Sequence, residues 1–324
     1  MEIVDAIVIG GGPCGLAAAI SLQDIGLSPI IIEKGNVVEA IYKYPTHQTF
    51  FSSSEKLSIG DVPFIIEGRK PKRNQALVYY REVVKMKNLR VHRFETVNGV
   101  EKKSNEFEVQ TTKSTYKTKI VIIATGYYDH PNLLGIPGED LPKVSHYFKE
   151  GHPYFDTDVI VIGGKNSSVD AALELHKAGA RVTVIYRGSS YSSSVKPWIL
   201  PEFEGLVRAG EINMLFEAHI EEIEQEEVRV RQNELVFSIK NDFVFAMIGY
   251  HPDHEFLKNM GVEIDDGSGR PLLNEQTMES NIENLYIAGV LAAGNNANEI
   301  FIENGRFHGE LIAKAIMGKE KLPD

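Results

Sequence analysis

The sequence predicts an α/β protein made of two similar modules, and three observations support this. The first is a run of strand, glycine turn, helix, strand and acid from Asp5 to Lys34. The second is an approximate copy of that run, from Asp158 to Arg187, about 150 residues later. The third is a pair of buried-type apolar strands that end at Thr125-Gly126 and Gly289-Val290. We therefore expect two Rossmann-like dinucleotide-binding domains, each with three layers in the order ββα.

The first turn carries a glycine pattern that is typical of a dinucleotide site. Gly10, Gly12 and Gly15 satisfy G-x-G-x-x-G, which gives a tight turn, a close backbone approach to pyrophosphate and close packing of helix on strand. Glu33 ends the second strand, where a carboxylate can accept hydrogen bonds from a ribose diol. A structural turn is the alternative interpretation. The residues expected to hold the nucleotide here are Gly10, Gly12, Pro13, Gly15, Glu33 and Lys34.

Composition limits the class of protein and its partners. The chain has 324 residues, 43% of them hydrophobic, which is enough for a sizeable core in two domains. Its net charge of -11 makes a nucleic-acid partner unexpected. Cys14 is the only cysteine, so an internal disulfide is excluded and a cysteine-based metal site is not expected. With no apolar stretch near the ~20 residues that span a bilayer, we expect a protein of the reducing cytoplasm with no membrane partner.

An irregular segment from Tyr42 to Phe64 follows the first module's second strand. Loops of this length are usually functional, and Thr46, His47 and Gln48 are candidate contacts to a cofactor ring. A packed surface loop is the alternative. Beyond it we expect a helix over 75–85, a β-meander over 91–97, 106–111 and 115–117, and an apolar strand over 119–124.

The second half of the chain repeats this order of elements. A proline-bearing loop over 131–142 is the expected exit from the first domain. Residues 212–245 predict a second meander with a turn at Gln232-Asn233. A helix over 254–260, a last buried strand over 285–288 and a terminal helix over 305–316 complete the prediction.

The second turn departs from the first in two of its three glycines. Lys165 and Ser168 stand at the second and third glycine positions, and the lysine could either meet phosphate oxygens or crowd them. Arg187 stands 24 positions after Gly163, much as Glu33 stands 23 after Gly10. Because an arginine accommodates a 2′-phosphate that an acid would repel, we expect NADPH rather than NADH. The candidate residues are Gly163, Gly164, Lys165, Asn166, Ser167, Ser168 and Arg187.

Two such modules predict FAD on the first and NADPH on the second, with hydride transfer between them. The chain resembles the two-dinucleotide flavoprotein family that contains the low-molecular-weight thioredoxin reductases. The motifs that carry the resemblance are Gly10 to Gly15, Ala124-Thr125-Gly126, Gly163 to Ser168, Arg187 and Ala288-Gly289. It implies a discontinuous FAD-binding domain over 1–120 and 250–324, an NADPH-binding domain inserted over 121–249, and a homodimer. It also adds Thr125, Gly126, Gly289 and Val290 to the cofactor-binding residues.

Two departures from that family narrow the function. The C-x-x-C pair of thioredoxin reductases is missing, and Val290 stands where the family has an aspartate that binds the flavin's ribityl chain, so Asn295 or a backbone amide would have to substitute. The chain is more similar to the bacillithiol disulfide reductases. That likeness lies in Gly11 to Gly15, the Tyr44 to Ser54 loop, Gly163 to Asn166 and Lys196-Pro197-Trp198. It implies an NADPH-dependent FAD enzyme that reduces bacillithiol disulfide to thiols.

Cys14 has two possible roles. As a thiolate it would attack the substrate disulfide, after which the flavin's electrons would reduce the mixed disulfide. The alternative is a small residue that packs the turn against the sheet. His47, His251 and His308 are candidate proton donors, although a structural role is expected for each.

Two other functions remain open at this point. One is a ferredoxin/flavodoxin–NADP reductase of the same fold, which also lacks C-x-x-C. The other is a redox-sensing module that binds nucleotides without turnover, for which the altered positions Lys165 and Val290 are the support.

Overall fold

A computed structural model describes residues 2–296 and 298–320. Its strands, in chain order, are β1 (Glu2–Ile3), β2 (Ala6–Ile9), β3 (Ile30–Glu33), β4 (Arg90–Arg93), β5 (Val97–Lys103), β6 (Glu106–Thr111), β7 (Thr115–Thr118), β8 (Ile120–Ile123), β9 (Val144–Ser145), β10 (Asp158–Ile162), β11 (Arg181–Ile185), β12 (Ile212–Leu215), β13 (Ala218–Ile223), β14 (Glu227–Gln232), β15 (Leu235–Lys240), β16 (Phe243–Ala246) and β17 (Leu285–Ile287). Its helices are α1 (Pro13–Asp24), α2 (Glu39–Lys43), α3 (Ser54–Leu57), α4 (Arg73–Met86), α5 (Asn166–Lys177), α6 (Leu200–Arg208), α7 (His254–Asn259), α8 (Ile302–Gly305) and α9 (His308–Glu320). Short 3₁₀ helices cover His152–Tyr154 and Gly289–Ala293.

The chain forms two compact units, which we call unit 1 (residues 1–130 and 250–324) and unit 2 (residues 131–249). Unit 1 is built around a five-stranded parallel sheet in the order β17-β8-β2-β3-β4. Alternate residues of β2 face opposite layers: Ala6 and Val8 pack with helices such as α1, whereas Ile7 and Ile9 pack with the meander β5-β6-β7. These are the three predicted layers.

Unit 2 repeats this arrangement with its own core. Its parallel sheet has the order β12-β11-β10-β16-β9, and β13, β14 and β15 form an antiparallel sheet. Val159 and Val161 of β10 pack with α5, whereas Ile160 and Ile162 pack with the β13-β14-β15 sheet. The prediction of an α/β fold with two Rossmann-like domains is therefore confirmed.

Parallel sheets of this type bind ligands at the carboxyl ends of the strands, where the chain order reverses. In unit 1 the reversal lies at β2, because the chain passes to β3 on one side and reaches β8 on the other. In unit 2 it lies at β10, between β11 and β16. Both predicted glycine turns directly follow these two strands, so the fold puts each turn at its unit's reversal point.

Three details of the sequence prediction differ from the structure. The chain passes from unit 1 to unit 2 after residue 130, whereas the predicted domain boundary was at residue 120. The reason is that β8 pairs with β2 and belongs to the unit 1 sheet. The strand expected over 91–97 is two strands: β4 is the edge of the parallel sheet, and the chain turns at Phe94 (φ +54°) before β5 begins the meander. The segment 212–245 likewise contributes β12 and β16 to the parallel sheet, and only β13 to β15 form the second meander.

Across residues 2–296 and 298–320, no helix combines the length and apolar character needed to cross a membrane.

Candidate nucleotide-binding and active site

The first glycine turn is closed at two of its glycines and open at the third. Gly10 has φ +109°, and a Cβ there would lie 2.4 Å from Ala124 O. A Cβ on Gly15 would lie 2.0 Å from Gly10 O, so neither position can hold a side chain without a backbone shift. By contrast, a Cβ on Gly12 would have no described atom within 4 Å. The space in front of Gly12 is therefore a cradle that a ligand can fill, and this fits a pyrophosphate.

The start of α1 adds a positive electrostatic end to that cradle. Pro13 is the first helical residue and Gly12 is the N-cap, and no side chain caps the helix or places an acid in its first turn. The first N–H groups of a helix have no intrahelical acceptor, and they carry the positive end of the dipole. An anion at Gly12 would satisfy these groups.

Glu33 ties the turn to the end of β3. Its side chain is buried, and its two carboxylate oxygens accept hydrogen bonds from Gly11 N (2.6 Å) and Gly35 N (2.7 Å). Burial raises the pKa of Glu33, and the two backbone N–H groups oppose that rise. Because each carboxylate oxygen has a second lone pair, both remain able to accept from a ribose hydroxyl. The predicted ribose contact stays a prediction.

Lys34 points into an ion-pair group instead of into the turn. Its Nζ lies 3.0 Å from Asp129 Oδ2, and Lys43 Nζ lies 2.5 Å from Asp129 Oδ1. Burial raises the pKa of Asp129, but hydrogen bonds from Lys43 and Lys34 outweigh it and hold that pKa below its usual value.

The carboxyl ends of β8 and β17 meet the same turn. Gly126 and Gly289 both have positive φ (+71° and +76°), Thr125 is exposed and Val290 is half-buried. Gly289 N donates to His308 Nδ1 (3.1 Å), and burial lowers the pKa of His308. A structural role was expected for His308 beside the proton-donor candidacy, but its specific role as acceptor for a backbone amide was not predicted. Asn295, the suggested substitute for the missing aspartate, packs against Gly269.

Cys14 lies in the first turn of α1 and is enclosed by two glycines. A Cβ on Gly289 would lie 3.2 Å from Cys14 Sγ, and one on Gly305 would lie 3.0 Å from it. Burial raises the pKa of Cys14 to about 12, with a further rise from the charge of Glu303. At neutral pH the free thiol is therefore protonated. This geometry favours the packing role, and the nucleophile role requires a proton acceptor during the reaction.

The segment with Thr46, His47 and Gln48 lies between α2 and α3. His47 is exposed, and Gln48 N donates to Pro45 O (3.0 Å) to form a turn. Gln48 O accepts from Arg73 N (2.8 Å) at the start of α4. Arg73 is buried although Lys72 and Asn74 on either side of it are exposed, and it was not singled out from the sequence.

The second turn has the same close packing with different residues. Gly163 has φ +136°, and a Cβ there would lie 2.5 Å from Met247 O. Lys165 is the N-cap of α5 with an exposed side chain, and no side-chain hydrogen bond caps that helix. Ser168 is fully buried and donates through Oγ to Lys165 O (2.8 Å), so a serine is accommodated where the pattern has its third glycine.

Asn166 and Ser167 take different positions at the start of α5. The Asn166 amide donates to Ser194 O (2.9 Å) and accepts from Lys196 N (2.9 Å), so it fastens the end of the serine-rich segment 189–194 to the start of α5. Ser167 is exposed. Of this pair only Ser167 has a side chain directed to solvent.

Strand register corrects the sequence comparison that matched Arg187 of the second module with Glu33 of the first. Ile9 pairs with Ile32, and Ile162 pairs with Ile185, so Tyr186 is the counterpart of Glu33 and Arg187 is the counterpart of Lys34. The contacts of the two turns support this pairing. A Cβ on Gly164 would lie 2.4 Å from the Tyr186 ring, and a Cβ on the corresponding Gly11 would lie 3.1 Å from Glu33 Cβ. Equal spacing of 23 from the first glycine was the signal that would have found Tyr186. Arg187 is exposed and forms no ion pair with the described residues.

The fold and the two turns define a class: an α/β protein with two dinucleotide-type modules, one inserted in the other. Residues 7–289 match the family model for pyridine nucleotide-disulphide oxidoreductases, and the chain belongs to that family. It is an oxidoreductase, and the family implies a flavin and a pyridine nucleotide as its cofactors.

Comparison with individual proteins gives the nearer relationships. The chain is 69% identical to bacilliredoxin reductase Bdr of Bacillus subtilis (strain 168), over 97% of this chain and 98% of that one. The structure of bacillithiol disulfide reductase Bdr (YpdA) from Staphylococcus aureus matches with a TM-score of 0.97 and 60% identity, covering 99% of this chain and 100% of that one. A ferredoxin–NADP reductase of Ignicoccus hospitalis is 28% identical over 88% of this chain and 89% of its own.

Proposed function

We propose that this chain is an FAD-dependent NADPH oxidoreductase that reduces bacillithiol disulfide to two thiols. The observation that carries the proposal is the near-complete likeness to the structure of the Staphylococcus aureus bacillithiol disulfide reductase. The balance is one disulfide, one NADPH and one proton giving two thiols and NADP⁺. The ferredoxin–NADP reductase alternative has the support of a relative at only 28% identity. We include in the proposal a homodimer, as the family resemblance implies, and a cytoplasmic location, on the ground that the chain has a single cysteine.

Unit 1 is the proposed FAD-binding unit. The open space at Gly12 and the uncapped start of α1 support a pyrophosphate there, and Glu33 supports a ribose. Thr125, Gly126, Gly289 and Val290 line the neighbouring strand ends, and Thr46 to Gln48 are proposed for the ring. Held by these residues, FAD would supply the two-electron redox chemistry that links the nicotinamide to the disulfide.

Unit 2 is the proposed NADPH-binding unit. Arg187 supports this coenzyme, because its guanidinium is exposed at the end of β11 and forms no ion pair among the described residues. A guanidinium can bind a 2′-phosphate through two parallel hydrogen bonds, which NADH cannot use. Replacing Arg187 with Gln should raise the KM for NADPH about tenfold or more and leave the KM for NADH nearly unchanged. An equal change for both coenzymes would count against this assignment.

Cys14 is the proposed catalytic residue carried over from the sequence, with a condition that its surroundings impose. A pKa of about 12 leaves little thiolate at neutral pH, so the thiol would have to lose its proton as the substrate binds. If Cys14 only packs the turn, the disulfide is reduced without a mixed disulfide on the protein, and the same overall balance holds.

The test is an anaerobic comparison of acceptors. Purified protein with bound FAD should bleach on addition of NADPH, which a nucleotide-binding sensor without turnover would not do. Oxidation of NADPH should then depend on bacillithiol disulfide and yield free thiols. Preference for ferredoxin or flavodoxin would overturn the disulfide proposal.

A second candidate acceptor is a bacilliredoxin. The Bacillus subtilis relative at 69% identity carries that name, which supports a protein acceptor for the same electrons. The two candidates separate in the same assay: thiol release from bacillithiol disulfide without any bacilliredoxin favours the small disulfide, and turnover that requires an oxidised bacilliredoxin favours the protein.

A further inference from the structure

Arg73 is a buried cation whose contacts the proposed reaction does not use. It is the first residue of α4 and only 6% exposed, and it is the one arginine or lysine among the buried residues of the described chain. Its contacts are neutral: Nε donates to Tyr42 O (3.2 Å), Nη2 also donates to Tyr42 O, and Nη1 donates to Asn74 Oδ1 (2.8 Å). Among the described residues no carboxylate pairs with it.

Burying a guanidinium without an anionic partner is costly, so its retention calls for a specific use of its geometry. Two of its nitrogen atoms converge on one carbonyl oxygen, which only the planar fork of an arginine can do; a lysine would offer a single point of contact. The Tyr42 ring lies 5.2 Å from the guanidinium carbon and adds a cation–π contact. Arg73 therefore fixes both the backbone and the ring of Tyr42.

The same residue holds a second point of the chain. Arg73 N donates to Gln48 O (2.8 Å), while the side chain holds Tyr42 O, six positions earlier. Phe50 N donates to Pro71 O (2.9 Å), which continues the pairing just beyond Gln48. Arg73 thus closes the base of the segment 43–47 from both sides.

We propose that Arg73 is a positioning residue for the enzyme: it clamps Tyr42 to Gln48 and thereby fixes Thr46, His47 and Gln48 in the place where the flavin ring is bound. The inference rests on the proposed function, because FAD binding by unit 1 is itself proposed. Arg73 need not touch the cofactor. It acts by lowering the number of conformations that the segment must give up when FAD binds.

The test uses two substitutions and a matched control in the full-length holoenzyme. Arg73→Met removes every side-chain donor at similar length, and Arg73→Lys keeps the charge but loses the fork. Arg81→Met, on the exposed side of the same helix, is the control. The readouts are hydrogen–deuterium exchange by peptide, the dissociation constant for FAD after removal and titration, and separate KM and kcat values for the disulfide.

Both Arg73 variants should exchange faster over 43–48 than the unaltered protein and bind FAD about tenfold more weakly or worse, while exchange in the rest of unit 1 is unchanged. Arg81→Met should match the unaltered protein. Unchanged exchange over 43–48, or faster exchange spread evenly over unit 1, would overturn the clamp. If Arg73→Met does not fold, Arg73→Lys decides. If the unaltered protein takes up no FAD, the proposed function fails, and exchange over 43–48 still decides the clamp.

Discussion

At the scale of single residues, the protonation of Cys14 separates its two roles. Because the pKa of Cys14 is raised to about 12, its thiol holds much less thiolate at pH 8 than an unfolded thiol does. Alkylation of Cys14 by iodoacetamide at pH 8 should therefore be slower by about tenfold or more in the native protein than after denaturation. Mass spectrometry of the labelled peptide measures both rates.

The matching substitution is Cys14→Ala. If Cys14 only packs between Gly289 and Gly305, the variant should keep its disulfide turnover and lose about 1 kcal/mol of stability. If Cys14 is the nucleophile, disulfide turnover should fall by orders of magnitude while NADPH oxidation by oxygen continues. Rapid native alkylation together with lost turnover would reject the packing role.

His308 gives a pH dependence with a definite sign. Its folded pKa is lowered by burial, so the unfolded state binds a proton first as the pH falls. The stability that this group contributes is present above the unfolded value of 6.5 and is lost as the pH falls through the lowered folded value. The protonated ring also cannot accept from Gly289 N.

His308→Asn should keep an acceptor for Gly289 N without a titrating group. We expect its unfolding midpoint to fall less than that of the unaltered protein as the pH drops below 7. His308→Ala should lose about 1–3 kcal/mol relative to the unaltered protein at pH 7 and above, and this difference should shrink as the pH falls, because protonated His308 no longer accepts from Gly289 N. Thermal unfolding over a pH series measures this. Parallel curves for the Asn variant and the unaltered protein would contradict the assignment.

At the scale of elements, the first turn separates residues needed for folding from those needed for binding. Gly15→Ala should destabilise the protein by about 1–3 kcal/mol or more, because its Cβ would lie 2.0 Å from Gly10 O. Gly12→Ala should fold normally, since its backbone is extended (φ -75°) and the Cβ enters open space, but it should bind FAD about tenfold more weakly or worse. Melting curves and FAD titrations check the two variants. If Gly12→Ala and the unaltered protein bound FAD with equal affinity, the prediction of a pyrophosphate site at Gly12 would be wrong.

The elements also show what the sequence can and cannot predict. Both glycine turns and their flanking strands were predictable, because fully apolar runs followed by glycines allow few other structures. The place of β4 at the edge of the parallel sheet was not predictable, because a four-residue strand with exposed charges fits a parallel and an antiparallel pairing equally well. Tyr186 was missed because the comparison of the modules slipped by one residue, and strand register is what corrects it. Arg73 was missed because burial is a tertiary property.

At the scale of the whole molecule, the two units share one plan with a different fifth strand. In each parallel sheet, one strand follows the meander in sequence: β8 in unit 1 and β16 in unit 2. Counted outward from that strand, the next three are β2, β3 and β4 in unit 1, and β10, β11 and β12 in unit 2. The last position is filled in unit 1 by β17, which comes after the insertion, and in unit 2 by β9, which precedes the unit's first glycine turn. Since Leu285 of β17 pairs with Val121 of β8, 164 positions earlier in the sequence, the parallel sheet of unit 1 requires both of its segments.

This topology predicts that the units can be separated and will divide the two nucleotides between them. In unit 1, His251 N donates to His130 O (2.9 Å), and in unit 2, Asn132 N donates to Gly249 O (3.0 Å), so the two cut ends of each unit already lie side by side. A chain with His130 joined to Tyr250 through a short glycine–serine linker should fold and bind FAD. The segment 131–249 should fold as a colourless protein that binds NADPH.

Neither separated unit should reduce a disulfide with NADPH, because each would hold only one of the two cofactors. Absorbance spectra report the flavin, calorimetry reports NADPH binding, and Arg187→Gln within 131–249 is the control that should weaken NADPH specifically. Flavin in the 131–249 protein, or NADPH binding by the joined unit 1, would reverse the proposed assignment of the cofactors. Because each sheet carries its own glycine turn at its own reversal point, we expect the binding functions to separate as cleanly as the cores do.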